Sequence, residues 1–253
     1  MSIPLHIEVR GDGPAVLFLH GTPTTWDVMR PVADACVGKK TLLLAMPGYG
    51  ASPPWTQAPS AIAIVEAIEA TVLGAGVCRL KVVGFSGGAH HALRLASRGV
   101  LDVTTVVALG GIADLSADER SGMRAMAESL RHAAIPPGFA TARFLSPGFA
   151  AAHPDATARV EAWVRATSAA NLAWELEALA GAPELLPALA SFPGRIFART
   201  GTLDLAAPPA QAEAIARACP RGSLQMVSGC GHALLEENRA ETIAAVVAAL
   251  VDT

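Results

Sequence analysis

The pentapeptide Gly84-Phe85-Ser86-Gly87-Gly88 constrains this chain more than any other stretch. It follows the apolar run Leu80-Lys81-Val82-Val83 and precedes a segment of helical spacing, Ala89 to Ser97, so the serine stands at a strand-turn-helix junction. Glycines two residues to either side remove side chains that would clash as helix packs on strand. Such a turn holds its central residue strained, with the hydroxyl exposed. A glycine-rich turn also suits phosphate, but no lysine follows in the spacing that a phosphate loop requires. Ser86 is therefore expected to be a nucleophile.

A serine hydroxyl is weakly nucleophilic at neutral pH and needs a base that is itself oriented by a third group. Two later stretches offer them. Gly201-Thr202-Leu203-Asp204 follows a strand expected over Arg195 to Thr200, and Gly229-Cys230-Gly231-His232 follows one over Ser223 to Val227. Both lie at the C-terminal ends of strands, where an open α/β sheet forms its ligand crevice. The order Ser86, Asp204, His232 suits a nucleophile elbow of this kind. Asp114, which follows the strand expected over Val103 to Leu109, is the alternative acid.

Further strands are expected over Leu5 to Arg10, Ala15 to His20, Thr41 to Ala45 and Leu80 to Phe85, with alanine-rich helical stretches between them. This alternation predicts an α/β fold with a mostly parallel central sheet flanked by helices. The first two strands, joined across Gly11-Asp12-Gly13, read as an antiparallel hairpin. Between Asp114 and Ser191 the strand signals vanish, and the stretch is too long for a plain connection. An inserted helical cap explains it. The expected organisation is a core domain over 1–113 and 192–253, interrupted by a cap over 114–191. Within that cap Trp163 and Trp174 share a face if one helix carries both.

With 253 residues, 52% of them hydrophobic, the chain buries a sizeable core without disulfides or a structural metal. The net charge of -3, with no basic run beyond Lys39-Lys40, argues against nucleic-acid binding. Met1 to Glu8 lack the basic start and unbroken apolar stretch of a secretory leader. The apolar segment Ala61 to Val77 contains Glu66 and Glu69, and Thr242 to Val251 is too short to cross a bilayer. Cys36, Cys78, Cys219 and Cys230 lack the close spacing of a zinc site or a disulfide frame, so each is expected to be a small core residue. A cytoplasmic protein with no metal, no cofactor and no membrane partner is the expectation; nothing here indicates an oligomeric state.

These motifs, together with His20-Gly21-Thr22-Pro23 and Pro47-Gly48-Tyr49-Gly50-Ala51-Ser52, give the chain a plain resemblance to α/β-hydrolase-fold serine hydrolases of the small esterase, lactonase and haloperoxidase-like group. The similarity runs over nearly the whole length. It implies Ser86 as nucleophile, His232 as base and then acid, and Asp204 as the group fixing the imidazole. It also implies an oxyanion hole from the backbone N–H groups of Thr22 and Gly87. The aspartate that commonly precedes the Pro-Gly-x-Gly-x-Ser stretch is replaced by Ala45, and the residue after the nucleophile, often bulky, is Gly87.

Relatives that open epoxides or displace halide carry aspartate at the elbow, so Ser86 points to acyl transfer from a small-molecule ester or lactone. The competing readings are perhydrolysis, amide or C–C bond hydrolysis on the same triad, or a non-catalytic ligand-binding relative. His20 is read as a scaffold histidine, and His90 and His91 as packing or surface residues, since neighbours on a helix point about 100° apart. Glu236 and Glu237 are expected to favour the start of the last helix. Trp26, Phe85, Phe139, Phe144, Trp163 and Trp174 are candidates for an apolar substrate pocket. One arginine among Arg124, Arg131, Arg143, Arg159 and Arg165 is a candidate for a substrate carboxylate, with solvated surface as the default.

Overall fold

The computed structural model describes residues 4–165 and 167–251. The first three residues of the N-terminal stretch read above, Met1, Ser2 and Ile3, lie outside them. Seven strands form one sheet: β1 (Ile7–Arg10), β2 (Ala15–Leu19), β3 (Lys40–Leu44), β4 (Arg79–Phe85), β5 (Asp102–Leu109), β6 (Arg195–Gly201) and β7 (Gly222–Val227). Their spatial order is β1-β3-β2-β4-β5-β6-β7, with β1 antiparallel and every other pairing parallel.

The expected hairpin does not form. β3 lies between β1 and β2, pairing antiparallel with Ile7 to Arg10 and parallel with Ala15 to Leu19. The glycines taken for a hairpin turn instead let the chain cross the entry to β3. A Cβ on Gly11 would stand 2.7 Å from the Lys39 carbonyl oxygen, and one on Gly13 would stand 2.4 Å from that of Gly38. Both have positive φ, at 71° and 109°, which glycine adopts without strain.

The strands β2 to β5 are apolar on both faces because helices cover both. On one face Leu17, Leu19, Leu42, Leu44, Val82 and Val106 pack beneath α2 (Ala61–Gly74) and α3 (Gly87–Arg98). On the other, Val16, Phe18, Leu43, Val83 and Val107 join Val32 of α1 (Arg30–Ala35) and Val246 of the last helix, Arg239–Ala249. The period-two alternation of the strands thus divides one apolar run between two cores.

Between β5 and β6 the described residues hold helices only: α4 (Ala117–His132), α5 (Phe139–Phe144), α6 (Pro147–Ala152), α7 (Pro154–Arg165), α8 (Ala169–Ala180) and α9 (Leu186–Leu189). α4 starts on a capping box, Ser116 with Glu119, and Ser168 caps α8 by accepting from Asn171 N–H at 3.0 Å. Arg120 of α4 donates to the carbonyls of Ala180 and Ala182 at 2.8 and 2.7 Å, closing the C-terminus of α8. Trp163 and Trp174 fall on two helices, α7 and α8, so no single face carries both. The chain ends through α10 (Pro209–Ala218), α11 (Leu234–Glu237) and α12 (Arg239–Ala249). Among the described residues, no helix is long and apolar enough to cross a membrane. Cys36, Cys219 and Cys230 are buried, but Cys78 is exposed, contrary to the core role expected of it.

Candidate active site

Ser86 is the one described non-glycine residue with positive φ, at 53°, and it joins β4 directly to α3. The strain is held by packing that only glycine permits. A Cβ on Gly84 would meet the Gly88 carbonyl oxygen at 2.4 Å, and one on Gly88 would meet that of Leu19 at 2.3 Å. Ser86 N–H is anchored to the Leu109 carbonyl of β5 at 2.8 Å.

His232 donates from Nδ1 to Asp204 Oδ2 at 2.8 Å, both side chains being inaccessible to solvent. The other carboxylate oxygen, Oδ1, accepts from the N–H groups of Ala206 and Ala207 at 2.9 and 2.8 Å. Asp204 is thereby fixed on three sides. The imidazole lies between Phe85 and Phe144, at centroid distances of 5.1 and 5.2 Å, and against Gly110, where a Cβ would stand 2.9 Å from the ring. Its Nε2 is buried and has no hydrogen-bond partner among the described residues. Ser86 Oγ thus makes no bond to it in this state; catalytic hydrogen bonds are often long before substrate arrives. The alternative acid, Asp114, accepts from the N–H groups of Leu185 and Leu186 at 2.5 and 3.2 Å and lies apart from His232.

Thr22 N–H and Gly87 N–H have no acceptor among the described residues, and both line the cavity that Ser86 faces. Thr22 Oγ1 would stand 2.6 Å from a Cβ on Gly87. The small residue after Ser86 therefore makes room for the Thr22 hydroxyl. His20 holds this loop in place: Nδ1 donates to the Gly21 carbonyl at 3.0 Å, and Nε2 accepts from Met46 N–H at 2.9 Å. Burial pushes the His20 pKa down to about 4, so it stays neutral. Where Ala45 replaces the customary aspartate, Ser52 bridges the loop instead, donating to the Ala45 carbonyl and accepting from His6 N–H.

The cavity encloses about 50 Å³. Met123 and Met126 of α4 and Leu172, Leu176 and Leu179 of α8 form one side of it, and Phe139, Arg143 and Phe144 of α5 another. Of the expected pocket aromatics, Phe139 and Phe144 are there. Phe85 lies behind His232 instead. Trp26 packs against His6 and under the Arg30 guanidinium, and Trp163 lies in a surface depression with Leu235 and Arg239. Trp174 stacks on Trp55 and donates from Nε1 to the Gln57 carbonyl at 2.9 Å. A wide ring with one polar edge suits such seams, where the body is dry and the N–H meets a carbonyl. The apolar stripes at i, i+3 in α4 and i, i+4, i+7 in α8 were the readable signal for the lining, and the tryptophans were not.

Two features escaped the sequence reading. Glu175 of α8 is buried and accepts from the Tyr49 hydroxyl at 2.6 Å, tying this helix to the loop after β3. Burial pushes its pKa up to about 8 against hydrogen bonds from Tyr49 and Thr22 that lower it, so it is mostly protonated at pH 7. Glu236 and Glu237 fall in the first turn of the short α11 rather than at the start of the last helix, and the bonds of Glu237 are tertiary. Glu237 accepts from Ser146 N–H, Ser146 Oγ and Gly231 N–H, tying the start of α6 to the residue before His232, while Glu236 pairs with Arg159. His90 is buried and bonds the Ile112 carbonyl, and His91 is buried beside it.

A seven-stranded sheet with one antiparallel edge strand, a strained serine elbow after its fourth strand, and an aspartate-histidine pair at the ends of its last two define an α/β hydrolase. The sequence profile of the alpha/beta hydrolase family matches residues 16–246, and the chain belongs to that family. It is 24% identical over 245 residues to a 2-succinyl-6-hydroxy-2,4-cyclohexadiene-1-carboxylate synthase of Salmonella newport (strain SL254), covering 94% of each chain. An esterase from Thermogutta terrifontis, solved with malate bound, superposes with a TM-score of 0.86 at 19% identity, over 96% of this chain and 91% of the other. The enol-lactonase from Burkholderia xenovorans LB400 superposes at 0.81, again at 19% identity, over 98% and 96%.

Proposed function

We propose that this protein is a serine hydrolase that cleaves a carboxylic ester or lactone through an acyl-enzyme on Ser86. His232 Nε2 takes the Ser86 proton as Oγ attacks the substrate carbonyl carbon, and the carbonyl electron pair moves to oxygen. The oxyanion sits between the N–H groups of Thr22 and Gly87. Asp204 keeps the other imidazole proton on Nδ1 and stabilises the imidazolium. Collapse of the intermediate breaks the bond to the alkoxide, which leaves with the proton from His232. Water then repeats the sequence and frees the acid.

The observation that carries this reading is the His232 Nε2 atom, buried without a partner while Asp204 fixes the opposite nitrogen. An unsatisfied buried nitrogen costs about 1–3 kcal/mol, which a site retains where a reacting group is to fill it. Serine rather than aspartate at the elbow supports acyl transfer over alkyl transfer. The two solved neighbours described as an esterase and an enol-lactonase support the same class of bond.

The test is covalent labelling of wild type and Ser86→Ala with a fluorophosphonate, followed by intact mass, alongside hydrolysis of phenyl acetate and γ-butyrolactone. Wild type is expected to gain one adduct and to hydrolyse a member of the pair, and Ser86→Ala to do neither. An unlabelled wild type, or full hydrolysis by Ser86→Ala, overturns the proposal.

A further inference from the structure

We propose that Arg143 is the binding group for a carboxylate carried by the substrate, so that this hydrolase acts on short esters or lactones bearing a second, ionised carboxylate. This rests on the reading of Ser86 as nucleophile for the word substrate, and on the cavity alone for the binding site.

Arg143 is the one charged side chain among the described residues that line the Ser86 cavity; the others are Leu, Met, Phe, Ile, Ala, Pro and Gly, with Thr22 and Ser86 themselves. Its guanidinium, half-buried, lies 5.6 Å from the Phe139 ring centroid and makes no hydrogen bond or ion pair with any described residue. The other cap arginines lack this combination. Arg120 and Arg124 donate to the carbonyls at the end of α8, Arg131 pairs with Glu128 and Glu177, Arg159 pairs with Glu236, and Arg165 is exposed.

Taking a cation out of water without an acceptor is costly, and burial accordingly lowers the Arg143 pKa. An aromatic face offsets part of that cost but fills none of the five N–H donors. A planar guanidinium in an apolar chamber matches a carboxylate in a bidentate pair, and nothing else in the chamber competes for it. Because Ser86 and Arg143 line the same cavity of about 50 Å³, the spacer between scissile carbonyl and carboxylate must be short. The neutral lining then rejects a carboxylate placed anywhere else.

The experiment separates this site from the serine chemistry by measuring binding rather than turnover. Ser86→Ala protein, alone and with Arg143→Gln, is titrated calorimetrically with monomethyl malonate, monomethyl succinate and monomethyl glutarate, each against its dimethyl ester. At least one half-ester is expected to bind about tenfold or more tighter than its diester, as one charge-assisted pair supplies, and Arg143→Gln is expected to erase the difference while leaving diester affinity unchanged. Equal affinities, a preference that survives Arg143→Gln, or no binding by any half-ester overturns the proposal. Fluorophosphonate labelling is measured in parallel on the otherwise wild-type protein with and without Arg143→Gln. Labelling that fails in both condemns the nucleophile assignment instead, and the binding titration still decides the carboxylate site.

Discussion

Single side chains here carry their roles through what surrounds them. Glu175 is a carboxyl group whose ordinary pKa of 4.5 is raised to about 8 by burial. The folded state therefore holds a proton that the unfolded chain gives up above pH 4.5, so this residue lowers stability as pH rises toward 8 and adds no further slope beyond it. Glu175→Gln keeps the partners and removes the ionisation. Urea denaturation across pH 5 to 9 is expected to show a shallower decline for Glu175→Gln than for wild type; parallel curves would mean that Glu175 is ionised in the fold. Asp204, equally buried, has four donors on its two oxygens. Asp204→Asn is expected to lower kcat by several orders of magnitude while leaving the thermal midpoint within a few degrees, since an amide at this position no longer fixes the Nδ1 proton of His232.

At the scale of elements, the helices between β5 and β6 are tied to the loop after β3 by α8. Its Asn171 side chain occupies the space beside Gly48, where a Cβ would stand 2.1 Å from Oδ1, and its Glu175 bonds Tyr49 one residue further along. Gly48 has a φ of 81°, so an added side chain meets both strain and a collision. Gly48→Ala is expected to cost about 1–3 kcal/mol in denaturant titration and to raise protease sensitivity in α8. An unchanged midpoint would show that the loop moves aside freely. Arg120 acts at the other end of the same helix, supplying donors to carbonyls that would otherwise end unpaired.

For the whole molecule, the decisive quantity is the small space left between sheet and helices. A cavity of about 50 Å³ beside Ser86 is far below the several hundred cubic ångströms of a typical drug-sized pocket. Acyl chain length should therefore matter strongly: kcat/KM for p-nitrophenyl acetate is expected to exceed that for the octanoate by more than about tenfold, since the longer chain needs the helices displaced. A preference for octanoate would show that these helices move apart readily.

Local signals in the sequence were enough to place the strands, the strained turn at Ser86 and the strand ends that carry Asp204 and His232. Seven expected runs became seven strands: those of β2 to β5 are apolar because helices cover both their faces, while β1 and β7 lie at the more exposed edges of the sheet. The elbow glycines forced the turn at Ser86, because any Cβ at Gly84 or Gly88 would collide with backbone. The meeting of His232 with Asp204 followed from both ending adjacent parallel strands. What lay beyond local reading was pairing between distant segments. Nothing in Gly11-Asp12-Gly13 distinguishes a hairpin turn from a crossing over the entry to β3, since both require the same positive φ. Nor does an aromatic letter tell whether its ring lines a cavity or seals a seam, so Trp26, Trp163 and Trp174 lie elsewhere while methionines and leucines of α4 and α8 surround Ser86. The buried Glu175, and the half-buried Arg143 that has no partner among the described residues, differ from surface charges in the water that the tertiary fold removed from around them.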